Sequence, residues 1–457
     1  MGRRRLTGDD GAGAWGQPSA ASLLPNRVYL GLAVPFMFST VTQPLLGAVD
    51  TAVIGMLGDT AAIAGVSLGA NLFNTLYWLF GFLRVSTTGH SAQVQEHAQR
   101  QQRSHTFFLP LMMSGVIAAC FLVLQGPMLS GYLAVTRPEA EVVLYVSHYY
   151  RILIWGAPFV LTNYVMLGWL MGQQRIRDSL FMQISGNVVN MVLDYWFVCG
   201  LGLGIQGVAA ATLISQVYTC VCGGIAVHFC GRFGKDRFKN LWNGPLIWKM
   251  IRENRDLMLR TICLVGFNNL FVTLGARLGT DILAVNAILI QITSIQAYLF
   301  EGIANGSSVF AGKAAGTRDD ALMEVTVRRT WQWGFITAAV MGGASILSGD
   351  LLFRIFTPID KILELADRYK GFCWLYPFVA AAGLCLYGIY TGSSMTRPVF
   401  LSTMWACFIS IPVCIGGTVL FGNVGLWVGY LTFYGGRSLG LIVCQKQLWG
   451  SLSGKGA

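Results

Sequence analysis

The chain has 457 residues, of which 54% are hydrophobic and only 12% are charged. Soluble domains carry roughly 25% charged residues, so the composition excludes an ordinary soluble protein. The net charge of +11 would suit nucleic-acid binding, but the basic residues gather in short links between apolar runs. That distribution indicates membrane topology, and we expect no nucleic-acid partner.

Apolar segments about the length of a bilayer-spanning helix recur from residue 27 to residue 448, and we count twelve of them. About 20 residues of helix cross the roughly 30 Å hydrocarbon core of a bilayer. The segments lack the alternating pattern of a transmembrane strand. The sequence therefore predicts an all-α integral membrane protein with twelve transmembrane helices.

The first predicted helix runs from about Arg27 to Val53 and contains Pro35. The proline ring and its missing N–H should bend this helix. Gln43 and Asp50 are seven residues apart and share one helix face. A carboxylate within an apolar span is costly to insert, which favours a functional role for Asp50.

The fifth predicted helix, residues 178–200, carries a polar stripe formed by Gln183, Asn187, Asn190 and Asp194. The spacings of four, three and four residues put these side chains on one face. Such a face is costly in hydrocarbon unless it lines a polar cavity. The sequence therefore predicts that the stripe points into the protein, although Asp50 and Asp194 are also near enough to the outer helix ends to reach the interface.

An internal duplication divides the chain into two halves. Residues 157–181 resemble residues 376–400, residues 56–66 resemble 277–287, and Gly207 pairs with Gly425, all at offsets of 218 to 221. Repeats with six crossings each share one orientation, so we expect two pseudo-symmetric six-helix bundles related by an axis along the membrane normal.

The predicted organisation has five parts. A disordered cytoplasmic N-terminus spans residues 1–26, the first lobe 27–230, a basic cytoplasmic linker 231–254, the second lobe 255–448, and a cytoplasmic tail 449–457. The offset maps Asp50 near Phe271, Asn190 near Phe408 and Asp194 near Pro412. Because the second half keeps the scaffold without these acids, packing does not require them.

The basic residues also predict the orientation. Most of them, including Arg260 and Arg437, are assigned to links on the side that holds the N-terminus. The positive-inside rule then places both termini of this predicted multi-pass plasma-membrane protein in the cytoplasm.

Arg84 and Glu301 are charged residues of the second and eighth predicted helices, and Glu301 aligns with Phe80 of the first half. If these helices meet at the lobe interface, the two residues form a gate-like ion pair. Otherwise Glu301 is an acid of the second-lobe cavity, or the Arg84 side chain snorkels inward.

Several motifs together resemble one known family. These are GAVDTAVIG around Asp50, LRVSTTGHSAQ from Leu83, GNVVNMVLDYW around Asn190 and Asp194, IQGVAAAT ending at Thr212, and GARLGTDILAVNA from Gly275. Over residues 27–448 the chain resembles the DinF branch of the multidrug and toxic-compound extrusion (MATE) family. The resemblance implies a V-shaped pair of six-helix lobes that exports substrates against an inflow of H⁺ or Na⁺.

The resemblance also implies the site. In that family an acid of the first helix, an Asn and an Asp of the fifth, and a Thr of the sixth form a cation site. Here they fall on Asp50, Asn190, Asp194 and Thr212, and the family's bending proline falls on Pro35. One departure is Leu153, where relatives often have an arginine; Arg151 is the nearby basic residue.

The residues alone leave the coupling ion open. Two facing acids in a dry cavity favour each other's protonated form, which suits proton carriers, whereas the same acids with Asn190 and Thr212 would make an oxygen cage for Na⁺. Our interpretation is a proton-coupled exporter of amphipathic, often cationic compounds. We expect a monomer in the lipid bilayer that uses no cofactor besides the ion.

Two rival functions stay in view. A flippase for lipid-linked oligosaccharides belongs to the same superfamily, but it would be expected to have a more cationic groove for pyrophosphate, whereas the first lobe here is acidic. An intramembrane enzyme would need a catalytic constellation, and the sequence has no His-rich or Ser/His pattern and no phosphate-binding loop. We therefore predict a transporter that is not an enzyme.

Overall fold

The computed structural model describes residues 24–55, 60–94, 100–136, 139–231, 244–348, 351–354 and 360–445. Within these ranges the chain is almost entirely helical and contains no strand. The helices of the first half are α1 (Asn26–Gly55), α2 (Thr60–Leu79), α3 (Phe82–Gln93), α4 (Arg100–Val123), α5 (Gln125–Thr136), α6 (Ala140–Leu153), α7 (Ala157–Gly172), α8 (Ile176–Tyr195) and α9 (Gly204–Gly231).

The helices of the second half are α10 (Gly244–Arg277), α11 (Thr280–Thr317), α12 (Asp320–Ser348), α13 (Leu351–Arg354), α14 (Asp360–Gly392), α15 (Thr396–Phe421) and α16 (Asn423–Val443). Two short irregular turns interrupt the first half: a 3₁₀ turn at Ile154–Gly156 leads into α7, and a π-helical turn at Trp196–Gly200 extends α8.

Each of the twelve predicted crossings corresponds to one long helix or to consecutive helices. In the described part of the chain, eight helical spans are long and apolar enough to cross a membrane by length and composition. The striped helix α8 is not among the eight. Its polar residues lower its mean hydropathy, which agrees with the cost that the sequence predicts for this face.

The two halves repeat the same local geometry. Gln174 and Ser394, 220 residues apart, both take left-handed φ values, 58° and 61°, in the turns that precede α8 and α15. Gly168 of α7 and Gly388 of α14 each pack directly on a backbone carbonyl of a neighbouring helix, where a Cβ would overlap the oxygen. The duplication read from the sequence is therefore present in the packing.

The predicted register between the fifth and eleventh crossings is wrong by two residues. The helices α8 and α15 begin 220 residues apart, and the buried positions Asn190 and Asp194 match the buried positions Ser410 and Cys414. Phe408, the predicted partner of Asn190, is 71% exposed.

The physical reason is the π-helical turn after α8. It adds length only to the first half, so the offset falls to 218 at Gly204 and Gly422, which begin the next crossing in each half. The pairing of Gly207 with Gly425 gives the offset of 218. That offset holds only after the π-helical turn, but it was also used for α8, which precedes the turn, and for its counterpart α15. Neither Ser410 nor Cys414 is an acid, so the asymmetry between the halves remains.

Helix α10 begins at Gly244, within the segment that was predicted as a linker. Residues 244–254 belong to α10, and residues 232–243 lie outside the described part of the chain, as do residues 1–23 and 446–457. Glu253 and Asn254 are buried in this first stretch of α10. The basic residues of the segment led the sequence interpretation to treat it as solvated link.

The halves meet along α1, α3, α10, α11 and α14. Gly302 and Gly306 of α11 allow close approach to Met37 and Ala33 of α1, as small residues do in membrane helix packing. The Tyr29 hydroxyl lies 2.7 Å from the Ser307 Oγ across this contact.

A second group of contacts lies where α3, α11 and α14 end. The Gln93 Nε2 donates to the Gly392 carbonyl at 3.0 Å and to the Ser394 Oγ at 2.7 Å. The His90 Nε2 lies 2.8 Å from the Glu253 Oε2. The halves are therefore joined at the ends of the helices nearest to the start of α1.

Candidate functional site

The polar stripe of α8 faces the protein interior. Asn190 and Asp194 are 4% and 1% exposed, whereas Ile184, Val188 and Val192 of the same helix are 42%, 48% and 60% exposed. The helix packs between α1 and α9. This pattern reverses the amphipathicity of a soluble surface helix, because the apolar face points to lipid and the polar face to the bundle.

The other residues of the stripe are half-buried. The Gln183 Nε2 donates weakly to the Ser179 carbonyl of its own helix at 3.4 Å. The Asn190 Nδ2 has no hydrogen-bond partner within the described part of the chain. Burial along the stripe thus increases from Gln183 and Asn187, which are half-buried, to Asn190 and Asp194, which are almost fully buried.

Thr212 lies on α9, the helix that packs against α8 on the side away from α1. Its hydroxyl donates to the Val208 carbonyl one turn earlier, at 3.0 Å. This local bond leaves the oxygen lone pairs of Thr212 available as acceptors or ligands.

Gln43 and Asp50 lie on α1, but their side chains are outside the part of the chain that the structure describes. The helix runs from Asn26 to Gly55 through Pro35. Since α1 packs against α8, the structure places the helices of the predicted cation site side by side. It does not describe where the Asp50 carboxylate lies relative to Asp194.

Arg84 and Glu301 are paired in the structure, with 2.5 Å between the Arg84 Nη2 and the Glu301 Oε1. The side chains are 20% and 33% exposed and join α3 of the first half to α11 of the second. The alternative of a snorkelling Arg84 does not fit this contact. A role for the pair as a gate remains a prediction.

A cavity of about 320 Å³ lies in the second half, with α3 as one wall. Its lining includes the Arg84–Glu301 pair and two further arginines, Arg260 and Arg437. The sequence interpretation that assigned Arg260 and Arg437 to cytoplasmic links is wrong. Both lie within helices, Arg260 in the middle of α10 and Arg437 well before the end of α16.

One signal in the sequence could have revealed these arginines. Arg437 follows fourteen residues of an apolar run, and Arg260 is followed by a further apolar run to Gly275. The topology prediction placed both arginines at helix ends because it counted them only as basic residues. A charged residue inside a membrane span is, however, by default a candidate functional residue.

The departure at Leu153 is a packed position. Leu153 is buried, while Arg151 two residues earlier is exposed. Arg151 therefore does not replace an arginine inside the lobe.

Comparisons with known proteins agree with this architecture. The MatE family model matches residues 35–196 and 257–415, one stretch in each half. This chain belongs to the MatE family. DNA damage-inducible protein F of Escherichia coli is 32% identical to it over 421 residues, which cover 92% of this chain and 91% of that protein. The probable multidrug resistance protein NorM of Thermotoga maritima is 22% identical, over 89% of each chain.

Solved structures show the same fold. A MATE transporter crystallised in a straight conformation matches with a TM-score of 0.81 and 19% sequence identity, covering 96% of this chain and 99% of that one. The bent conformation matches equally well, also at 0.81. These structures show that the chain has the MATE fold, and as a member of the MatE family it is a multi-pass membrane transporter.

Proposed function

We propose that this MATE transporter exports amphipathic organic compounds, cationic ones included, in exchange for protons. The observation that carries this proposal is the enclosed polar end of α8, where Asn190 and Asp194 are buried on a helix whose opposite face is apolar and exposed. A carboxylate in such a place is costly unless it binds an ion or a proton. Asp50 and Thr212 are proposed as its partners.

The proposed cycle links the charge of the site to its substrate. While the acids are ionised, the first lobe attracts a cationic compound. Protons entering from outside neutralise Asp194 and Asp50, which removes this attraction and allows α1 to rearrange at Pro35. The substrate then leaves on the outer side. Under the predicted topology, the contacts of Gln93 with Gly392 and Ser394 close the cytoplasmic side, which supports an outward-facing state.

Transport by purified protein in liposomes tests the proposal. A pH gradient is expected to drive movement of rhodamine 6G, a cationic dye, and Asp194→Asn is expected to reduce the rate at least tenfold. The matched control is Asp281→Asn, because Asp281 is a carboxylate at the start of α11 that is 44% exposed and paired with Lys361. This variant should transport normally.

The same liposomes distinguish the coupling ions. Dye movement driven by a Na⁺ gradient but not by a pH gradient would overturn the proton assignment. Full activity of Asp194→Asn under a pH gradient would overturn the role of the site.

A further inference from the structure

The cavity of the second lobe carries an excess of positive charge. Arg84 lies in it with its ion-pair partner Glu301, so these two charges offset each other. Arg260 and Arg437 line the same cavity. Among the described residues, no carboxylate forms an ion pair with either of them. Within the described ranges, two cationic groups of the cavity therefore lack an anionic partner.

Arg437 is 4% exposed and lies among aromatic rings. Its guanidinium carbon is 5.5 Å from the ring centre of Tyr434 and 5.7 Å from that of Phe433. A guanidinium that has lost its water needs hydrogen-bond acceptors or an anion, since aromatic faces replace only part of the hydration energy. Burying the Arg437 guanidinium therefore costs free energy, and an anionic ligand in the cavity would offset that cost.

The Arg260 guanidinium lies over the Tyr387 ring, with 4.1 Å between the guanidinium carbon and the ring centre. Among the residues that the structure describes, its buried Nε has no hydrogen-bond partner, and neither has the Nδ2 of Asn305, which lines the same cavity. Arg260 and Arg437 line one cavity, so their positive charges repel each other there. Like charges held together with free donors are the arrangement that binds an acidic group.

The duplication shows that packing does not require the two arginines. The offsets of the first and sixth crossings, 221 and 218, match Arg260 with Ser39 and Arg437 with Thr219. The first lobe thus packs with small hydroxyl side chains at these positions. Conversely, Asp194 of the first lobe matches Cys414 of the second. The lobes therefore have opposite polarity.

We infer that Arg260 and Arg437 form a binding site for the anionic group, such as a carboxylate or sulfonate, of a transported amphipathic compound. The aromatic side chains of Tyr387, Tyr430 and Tyr434, which line the cavity, would contact its apolar body. The inference rests on the proposed export function and extends its substrates to zwitterions. A compound with both charges would place its acid in the second lobe and its cationic end toward the acids of the first.

Two dyes with the same ring system isolate the acidic group. Rhodamine 19 has a free carboxyl and is a zwitterion, whereas rhodamine 6G is its ethyl ester and a cation. Binding is measured by fluorescence anisotropy, without any gradient, on protein in phosphatidylcholine nanodiscs. Arg437→Gln is expected to weaken rhodamine 19 binding at least tenfold and to leave rhodamine 6G binding unchanged or stronger.

Three further variants make the result specific. Arg437→Lys keeps the charge and should retain part of the rhodamine 19 affinity. Arg260→Gln should weaken rhodamine 19 binding like Arg437→Gln, and it tests the site even where Arg437→Gln does not fold. Arg277→Gln removes an exposed arginine at the end of α10 and should bind both dyes normally.

Equal losses for both dyes, or no loss in either arginine variant, would overturn the inference. Displacement of rhodamine 19 by added phosphatidylglycerol would also overturn it, because the site would then hold a lipid phosphate. The proposed export function is refuted by a different result, namely that no gradient drives rhodamine 6G transport. That result would stand even if the arginines bind rhodamine 19.

Discussion

Asp194 and Arg437 are both almost completely buried, at 1% and 4% exposure, and the repeat matches each of them with an uncharged residue of the other lobe. A bundle built twice from one template gives an internal comparison for each position. Where one copy packs with Cys414 or Thr219, the charge in the other copy is not needed for packing. At the scale of residues, we therefore expect function to depend most on the positions where the two copies differ in charge.

The ion pair between Arg84 and Glu301 is expected to stabilise the contact between the lobes. Removing one partner leaves the other partly buried and unpaired, which costs on the order of 1–3 kcal/mol after allowing for partial exposure. We expect Arg84→Gln and Glu301→Gln each to lower the thermal midpoint of the purified protein and to slow dye transport.

The exchanged variant, Arg84→Glu with Glu301→Arg, controls for the loss of either side chain. It should recover most of the lost thermal midpoint, because an ion pair forms again with the two charges exchanged between the positions. If the single variants melt like the unchanged protein, the pair contributes nothing to stability.

At the scale of helices, close approach depends on glycines at a few contacts. Gly388 of α14 packs on the Ala304 carbonyl of α11, and its counterpart Gly168 packs on the Arg84 carbonyl. In membranes, helices associate through packing of small residues because lipid is as apolar as the side chains. The Gly388 contact fixes the spacing of α11 and α14, which both line the second-lobe cavity.

Gly388→Ala is expected to destabilise the protein, since the added Cβ would overlap a backbone oxygen that cannot move by itself. Overpacking of this kind costs about 1–3 kcal/mol, more than the roughly 0.5–1 kcal/mol that alanine gains over glycine in a helix. Thermal unfolding in detergent measures the change.

The matched control is Gly343→Ala on α12, where a Cβ would have open space. Its midpoint should stay equal or rise. A rise for Gly388→Ala of similar size would show that the contact is not tight.

At the scale of the whole molecule, the lobes are joined near the start of α1, and the second-lobe cavity extends from α3 toward the opposite ends of α10 and α11. Val272 and Ile290 line it on that side. Alternating access requires that the joined side separate during each cycle. The hydrogen bonds of Gln93 with Gly392 and Ser394 should then break and re-form.

A reversible cross-link tests this separation. In a variant without the eleven native cysteines, Gln93→Cys and Ser394→Cys are bridged by a short bifunctional methanethiosulfonate. Bridging is expected to stop dye transport, and a reductant should restore it. The two single-cysteine variants should be insensitive to the reagent.

Full transport after complete bridging would contradict a cycle that opens this side. The measurement does not depend on which ion drives transport, so it examines the conformational change alone.

Much of the fold and part of the site could be predicted from the sequence. The apolar runs and the repeat offset predicted the helices and the duplication, because bilayer thickness and helix rise set these lengths directly. The polar stripe of α8 was predictable from helical spacing, and its burial in the structure agrees with that prediction. The register of α15 was predicted wrongly because a π-helical turn changes chain length without changing composition.

By itself, the amino-acid sequence determined a membrane protein of two related halves, with its polar stripe on one face of α8. Apolar run length, helical spacing and a repeat offset can all be read along the chain without any tertiary contact. Only the tertiary structure decided that Arg84 meets Glu301, and that Arg260 and Arg437 share one cavity rather than lie in cytoplasmic links. These residues are far apart in the chain. Their proximity comes from how α3, α10, α11 and α16 pack, and no local pattern encodes that arrangement.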